Sequence, residues 1–351
     1  MLVCPVCQSV LVLEGKNLSC EKNHSFDQAK QGYFNLLLNT AKNSQSPGDN
    51  AAMVKARQQF LDSGLYKSIS DTVNQLVVDH FLSNPVESPM LLDLACGEGY
   101  YTQHLHYTLE DHQVQHSLYG LDISKDAIKA SAKREKSINW IVANGFKAPF
   151  KSHSLHCVLN MFNRVNSKSL HDLCHPQGKV IVASSAKFHL QQLKQAIYQQ
   201  PRFEEFDMVA TMENEFEHDV RQQLDFTIKL KPENTQALLG MTPHAWRSSP
   251  ETQQQLVNNL QFELRVNVNI DSFTPKLLAT SVTEAPVQSE IIVEQHIESK
   301  AKPADVSITK APVQSEAIVE KTFESEEKTP DASVSKQTKS SNQDIWGSSK
   351  K

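Results

Sequence analysis

The chain is short of several things, and each shortage excludes a class of protein. It has no excess of basic residues: 35 Lys and Arg stand against 40 Asp and Glu, a formal net charge of −5 over 351 residues. A protein that coats nucleic acid through unspecific charge carries the opposite balance. Part of the acidic excess sits in the C-terminal segment, so the remainder is closer to neutral, and the totals show no basic face. No stretch approaches the roughly 18 consecutive apolar residues of a membrane-spanning helix, so no membrane partner is expected. The N-terminus, Met-Leu-Val-Cys-Pro, lacks the charged and apolar regions of a secretory signal. Cysteine is sparse: there are six, three of them at metal-ligand spacing, which predicts a reducing, cytoplasmic compartment.

What is present is organised around residues 90–102, Met-Leu-Leu-Asp-Leu-Ala-Cys-Gly-Glu-Gly-Tyr-Tyr-Thr. An apolar run of strand length passes through Asp93 into a glycine-bearing turn, and a helix-compatible segment starts near Tyr100. A strand, a tight glycine turn and a helix N-terminus make a ligand site at the carboxyl edge of a parallel sheet. Gly97 and Gly99 permit close approach of a ligand or a positive φ. The turn has no Lys for a P-loop, and Thr102 stands where a dinucleotide fingerprint needs glycine. Two carboxylates, Asp93 and Glu98, suit a ligand with a cationic amino-acid end, so S-adenosylmethionine fits better than a nucleotide phosphate. The stretch resembles the first motif of the class I methyltransferases, (D/E)xGxGxG, with Ala95 in place of one glycine and Glu98 separating the other two. An ordinary strand-turn-helix with no ligand is the plainer alternative.

Upstream, Cys4, Cys7, Cys20 and His24 stand as C-x2-C-x12-C-x3-H. Two knuckle-like pairs separated by a short hairpin supply three soft thiolates and one imidazole, a full tetrahedral set for Zn2+ with no position left open for catalysis. Residues 10–19 alternate around Glu-Gly-Lys-Asn and are predicted to be that hairpin. So short a module could hardly fold without its metal. The following run through Gly32 and Tyr33 fits equally a surface-bearing turn or a packing segment.

A polar linker over residues 39–50 carries the turn signal Pro47-Gly48-Asp49. Apolar periodicity predicts two helices before the central strand, broken at Asp62-Ser63-Gly64. Tyr66 at their junction is placed to reach a ligand, or to serve as a core aromatic. Beyond the glycine turn, residues 117–123 form a second strand ending in Asp122, an acid placed for a ribose diol. Ser124 is in position to cap the next helix. Residues 138–144 read as the third strand, with Asn144 placed for the adenine edge. Residues 154–162 read as the fourth, with Cys157 as a core thiol, and residues 179–184 as the fifth, after a Pro176-Gln177-Gly178 turn. Residues 226–230 and 262–268 alternate apolar and polar and fit the last two. Helices alternating with strands give an α/β fold, a doubly wound sheet. Between the last strands lies Met241-Thr242-Pro243-His244-Ala245-Trp246-Arg247, where Trp246 fits a base-stacking ring or, more commonly, a core anchor. From about Pro275 aromatics nearly vanish, and Ala-Pro-Val-Gln-Ser-Glu occurs at 285–290 and again at 311–316. Two copies with charged spacers cannot bury a core, which predicts a disordered low-complexity tail.

Taken in order, the cysteine spacing, Phe-Asp-x-Ala-Lys-x-Gly-Tyr-x-Asn-Leu-Leu, Pro-Gly-Asp, Cys-Gly-Glu-Gly-Tyr-Tyr-Thr and Met-Thr-Pro-His-Ala-Trp-Arg resemble the RlmA family. These are bacterial methyltransferases that act on N1 of a guanine in 23S ribosomal RNA. The resemblance spans about residues 1–273 and leaves the tail outside. It implies a class I methyltransferase, Rossmann-like, with a seven-stranded, mostly parallel sheet behind an N-terminal zinc-ribbon-like module. Four segments follow: 1–38, a zinc-binding RNA-recognition module; 39–88, a helical linker and cofactor cover; 89–273, the S-adenosylmethionine-dependent domain; and 274–351, the disordered tail. The family further implies that Cys4, Cys7, Cys20 and His24 hold one structural Zn2+ in a module gripping an rRNA hairpin. It places cofactor contacts at Tyr66, Gly97 and Glu98, and His189 matches its cofactor histidine. A homodimer forming an RNA cleft is the corresponding expectation for assembly. The segment after the fourth strand, Asn160-Met161-Phe162-Asn163-Arg164-Val165, departs from the Tyr-Ala-Pro type associated with the family, and because that segment often faces the substrate, the resemblance leaves the precise target base open.

Guanine N1 carries a proton at neutral pH, so methyl transfer requires its loss while negative charge grows toward O6. No unique general base is visible in the sequence, and the base has to leave its stack to be reached. Two other classes fit many of the same residues. One is a small-molecule methyltransferase with an accessory zinc module, allowed by the weak net charge. The other is a non-catalytic RNA-binding or assembly protein with a worn cofactor site, suggested by Ala95. Label transfer to a ribosomal RNA transcript separates the first, and cofactor dialysis the second.

Overall fold

A computed structural model describes residues 1–38, 47–244 and 247–277. The tail with its duplicated segment, most of the polar linker and Trp246 lie outside the described residues.

The N-terminal module is a three-stranded antiparallel sheet of β1 (Val12–Glu14), β2 (Asn17–Ser19) and β3 (Ser25–Asp27). Gly15, at φ +61°, closes the β1–β2 hairpin in a conformation an L side chain resists. The chain then runs directly into β4 (Phe34–Asn35), which pairs in parallel with a strand of the main sheet.

Two helices follow, α1 (Ala51–Asp62) and α2 (Lys67–Ser83). Asn50 caps α1, its side-chain oxygen accepting from the N–H groups of Ala52 and Met53 at 3.0 and 3.1 Å. Gly64, at φ +77°, makes the break between them, where the sequence put it. The doubly wound part then runs β5 (Met90–Leu94), α3 (Tyr100–Asp111), β6 (Ser117–Asp122), α4 (Lys125–Arg134), β7 (Asn139–Val142), β8 (Leu155–Met161), α5 (Ser167–Leu173), β9 (Cys174–Ser185) and α6 (Gln191–Ile197). After α7 (Met208–Met212) come β10 (Phe216–Lys229), α8 (Pro232–Met241), α9 (Pro250–Asn258) and β11 (Glu263–Pro275).

The large sheet has the order β10-β11-β9-β8-β5-β6-β7-β4, and only β11 runs against its neighbours. The seven expected strands are all there, and β4 adds an eighth at the edge. Two strands are much longer than the short alternating runs suggested, because β10 and β11 form a ribbon whose outer half is exposed and polar. The Pro176-Gln177-Gly178 turn also needs correcting. It lies inside β9 as an irregularity where pairing jumps from Leu155 with Cys174 to Cys157 with Lys179.

Alternate residues of β5 feed two apolar layers, Leu91 into one and Leu92 into the other. The first layer packs under α2 and α3 through Ile69, Val73 and Leu105. The second contains Val158, Val180 and Phe150, together with Leu11 and Leu18 of the N-terminal module, so that module shares the core of the sheet. Cys157 is fully buried in the first layer, as a core thiol should be. Because β5 pairs with β6 on one side and β8 on the other, the winding reverses there, and a crevice opens at the strands' carboxyl ends.

Candidate functional site

Cys4, Cys7, Cys20 and His24 bring their donor atoms within 4.8 Å of one another. Each pair sits on a tight turn: the Gln8 N–H reaches the Cys4 carbonyl and the Asn23 N–H that of Cys20, both at 2.8 Å. Gln8 and Asn23 take φ of +63° and +61° to close these knuckles. A tetrahedron of Zn–S bonds of about 2.3 Å has edges of roughly 3.8 Å. The separations of 3.6 Å between the Cys7 and Cys20 sulfurs and 3.4 Å from Cys20 Sγ to His24 Nδ1 suit that size. Three thiols, one imidazole and two buried cysteines fit a closed structural site.

The second site is a cavity of about 640 Å³ at the crevice described above, within the range that encloses a nucleoside-sized ligand. It is lined from the β5–α3 turn by Asp93, Ala95, Gly97, Glu98 and Tyr101, and from β6 by Asp122. Gly97 and Gly99 have φ of +58° and +86°. At Gly99 a Cβ would stand 2.8 Å from the Trp140 ring, so this glycine is required twice over. Ala95 takes φ +63°, performing a glycine's task with a methyl group attached.

The carboxylates are held differently. Asp93 is fully buried; Thr102 donates to its Oδ2 at 2.6 Å, while Oδ1 has no partner. Burial is the main cause that pushes its carboxyl up to about 7, with Asp122 and Glu98 adding repulsion. Glu98 is also raised by burial, partly offset by Arg134, whose Nη2 lies 2.6 Å from Oε2; its Oε1 is unpartnered. Half-buried Asp122 accepts from the N–H groups of Gly97 at 3.0 Å and Ser124 at 2.7 Å, which fixes its rotamer. Counting Tyr101 OH and Thr242 Oγ1, four buried polar atoms of cavity-lining residues lack partners among the described residues. Buried polar groups are seldom left so, and a cluster of them around one space marks a ligand's place. Acidic oxygens at one end, with no phosphate-binding Lys in the turn, fit S-adenosylmethionine and its cationic tail.

The other wall is aromatic and basic. Tyr66, buried at the head of α2, lies with its ring 6.3 Å from that of His189 and 6.5 Å from that of Phe162. His189 accepts the Asn267 N–H at Nδ1, 3.3 Å away, which leaves the ring proton on Nε2. Burial, helped by Lys194 and His244, lowers its pKa to about 3, so it is neutral at physiological pH. Arg57 is paired with Asp49 and also reaches the Met241 carbonyl. Lys194 has no ion pair or side-chain hydrogen bond with the described residues.

Of the residues singled out in the sequence, Tyr66, Asp93, Gly97, Glu98, Asp122 and His189 line this one cavity. Asn144 does not: its side-chain oxygen accepts from the Phe146 N–H at 3.0 Å and caps the short turn at Gly145–Lys147. A polar residue just past a strand serves a turn as readily as a ligand, and the sequence alone does not separate the two. Sequence reasoning missed Arg57 and Lys194, and met Phe162 only within the segment after the fourth strand, without a role of its own. Arg57 was signalled only indirectly, through Pro47-Gly48-Asp49, whose Asp49 carbonyl accepts from Ser124 Oγ at 2.5 Å and ties that loop over the cavity.

Comparison with known proteins adds an independent line. A family of zinc ribbons described as "RlmA, N-terminal" matches residues 2–45, and a methyltransferase-domain family matches residues 64–212. The Bacillus subtilis (strain 168) protein YxjB, provisionally named a 23S rRNA (guanine-N(1)-)-methyltransferase, is 29% identical over 279 residues, covering 77% of this chain and 95% of that protein. A 23S rRNA (guanine(748)-N(1))-methyltransferase of Streptomyces fradiae is 26% identical over 253 residues, covering 71% of this chain and 87% of its own length. Among solved structures, a Haemonchus contortus phosphoethanolamine N-methyltransferase 2 in complex with S-adenosyl-L-methionine is 14% identical, with a TM-score of 0.37, covering 66% of this chain and 61% of that one. That likeness is too loose to carry residue correspondences.

Proposed function

We propose that the chain is a methyltransferase of the RlmA family and transfers a methyl group from S-adenosylmethionine to N1 of one guanine in a 23S ribosomal RNA hairpin. The observation that carries this reading is the cavity with four buried polar atoms left without partners among the described residues, in a chain that also carries a four-donor metal cluster. Residues 1–38 grip the RNA, 39–88 cover the cofactor and 89–273 perform the transfer.

The donor, when bound, supplies an electrophilic methyl group on a sulfonium. Asp122 holds the ribose diol, and Asp93 and Glu98 answer the cationic amino-acid end with their unpartnered oxygens. Tyr66, with the neutral His189, closes the apolar side and excludes water. Cys4, Cys7, Cys20 and His24 hold zinc, which keeps the ribbon folded and takes no part in the transfer. Loss of the guanine N1 proton to solvent would leave negative charge shared between N1 and O6, and N1 would then take the methyl group as the S–CH3 bond breaks and S-adenosylhomocysteine departs. Among the described residues Lys194 is the cavity cation without a carboxylate partner, and its ammonium would compensate that charge.

The test is transfer of labelled methyl from S-adenosylmethionine to a 23S rRNA transcript, with the product mapped by reverse transcription. Methylation at N1 blocks Watson–Crick pairing, so one new stop at a guanine is expected. Label in a small-metabolite extract and none in rRNA would leave the small-molecule reading. Tight cofactor binding without any transfer would leave the adaptor.

A further inference from the structure

We propose that Phe162 is the platform on which the target purine stacks after leaving its RNA helix, an assignment that rests on the rRNA reading above. Three independent observations converge on this ring.

The first is exposure. Phe162 follows β8, whose residues 157–161 are all buried, yet it is 37% exposed. Of the exposed Phe and Tyr side chains among the described residues, Tyr107, Phe146, Phe162 and Phe206, Phe162 alone lines the cavity. An aromatic ring left bare beside a buried core has a surface available for another planar group.

The second is backbone conformation. Phe162 has φ +54°, a region that a bulky side chain resists. Its N–H is pinned to the Ala183 carbonyl at 2.8 Å, and Asn160 Nδ2 reaches the Arg164 carbonyl at 3.3 Å to close the turn. Ala95 and Leu190, with φ of +63° and +55°, line the same cavity. Strain concentrated around one space and held by fixed hydrogen bonds is what a pre-aimed site stores. Relaxing Phe162 to an ordinary φ would swing the ring away from its place.

The third is what stands behind it. The His189 ring lies 6.0 Å away and nearly parallel, at 19°, and Tyr66 and Tyr101 each lie 6.5 Å away. The ring therefore belongs to a cluster of cavity-lining aromatic rings at the end of β8, and its exposed part is the surface left for another planar group. Lys194 lines the same cavity. Stacking on an aromatic ring is the general means by which proteins hold an unpaired base.

The experiment uses the full-length chain, the 23S rRNA transcript and labelled S-adenosylmethionine. Phe162→Leu keeps apolar bulk and removes the π face; Phe162→Tyr and Phe162→Trp keep the face. Leu is expected to lower kcat/KM for the transcript about 10- to 100-fold, with cofactor Kd within about twofold of the original. Tyr and Trp are expected to restore kcat/KM to within about threefold. Unchanged cofactor binding shows that the Leu variant is folded. A Leu variant with undiminished kcat/KM, or Tyr and Trp variants as poor as Leu, would overturn the assignment. So would a Leu variant that loses cofactor affinity as much as turnover, since the ring would then belong to the methyl donor. Failure of the rRNA reading looks different: the unsubstituted chain itself would transfer nothing to the transcript.

Discussion

The ribbon and the cavity treat their polar groups in opposite ways. In the ribbon, four donor atoms converge on one another, the knuckle turns are closed by backbone hydrogen bonds, and the chemistry is complete within 38 residues. In the cavity, carboxylate and hydroxyl oxygens are buried without partners, three non-glycine residues lie in left-handed backbone, and the lining comes from segments as distant as Gly48 and His244. A small module with little apolar area leans on its metal for stability. A large sheet with two apolar layers is stable enough to tolerate groups that help only when a ligand arrives. The lesson is that stabilising and functional residues coincide in the ribbon and oppose each other in the cavity.

The most severe way to break that comparison is Cys4→Ser, or removal of zinc. Structural zinc is worth roughly 10–16 kcal/mol in isolated zinc fingers, so the ribbon is expected to unfold. Because β4 pairs with β7, with Leu36 N–H on the Val142 carbonyl, hydrogen exchange should quicken at Leu36 and Val142 as well as within the ribbon. An intact exchange pattern after metal is stripped would mean the ribbon stands on its own core.

Next in size is Gly99→Ala. A Cβ there meets Trp140 at 2.8 Å on a backbone at φ +86°. Overpacking and left-handed strain together predict a loss of about 2–5 kcal/mol in urea unfolding, with cofactor binding abolished. Near-normal stability would show that the α3 start is looser than its contacts suggest.

The smallest effect sharpens the contrast. Asp93 has its pKa raised in the folded state, to about 7 from 3.8, so the native chain holds a proton that the unfolded chain releases. Stability without cofactor should therefore fall as pH rises from about 4 to 7 and then level off. Asp93→Asn should flatten that slope, stabilise the unliganded chain at pH 8 by about 2 kcal/mol, and lose cofactor affinity. A destabilised Asn variant with the slope intact would move the titration to another group.

These opposite treatments also explain how much was legible beforehand. Cys4, Cys7, Cys20 and His24 are local, so spacing alone was enough to propose them. The β5–α3 turn is local too, and six of the seven cofactor candidates meet in the cavity because each sits at the carboxyl end of a strand or a helix start. Asn144 obeyed the same positional rule and serves a turn, which only its hydrogen bond reveals. Phe162 and Lys194 were hidden for a different reason. Nothing near Phe162 in the sequence announces a left-handed backbone, and nothing near Lys194 announces the absence of a partner; both are facts of tertiary assembly. The long β10–β11 ribbon escaped because its exposed half lacks the alternation by which strands are recognised.

The two-residue strand β4 has a consequence for substrate choice. Its pairing with β7, the Val3 N–H on the Pro149 carbonyl at 2.9 Å and the Lys151 N–H on the Met1 carbonyl at 2.9 Å clamp the ribbon to the sheet without a hinge. On the proposed reading, the ribbon and the sheet would act as a caliper with both jaws fixed: an RNA stem held at one jaw would deliver to the other only the nucleotide standing at a set span. Lengthening that stem by one base pair would then rotate and advance the nucleotide out of reach, so that spacing along the helix would join base identity in selecting the target.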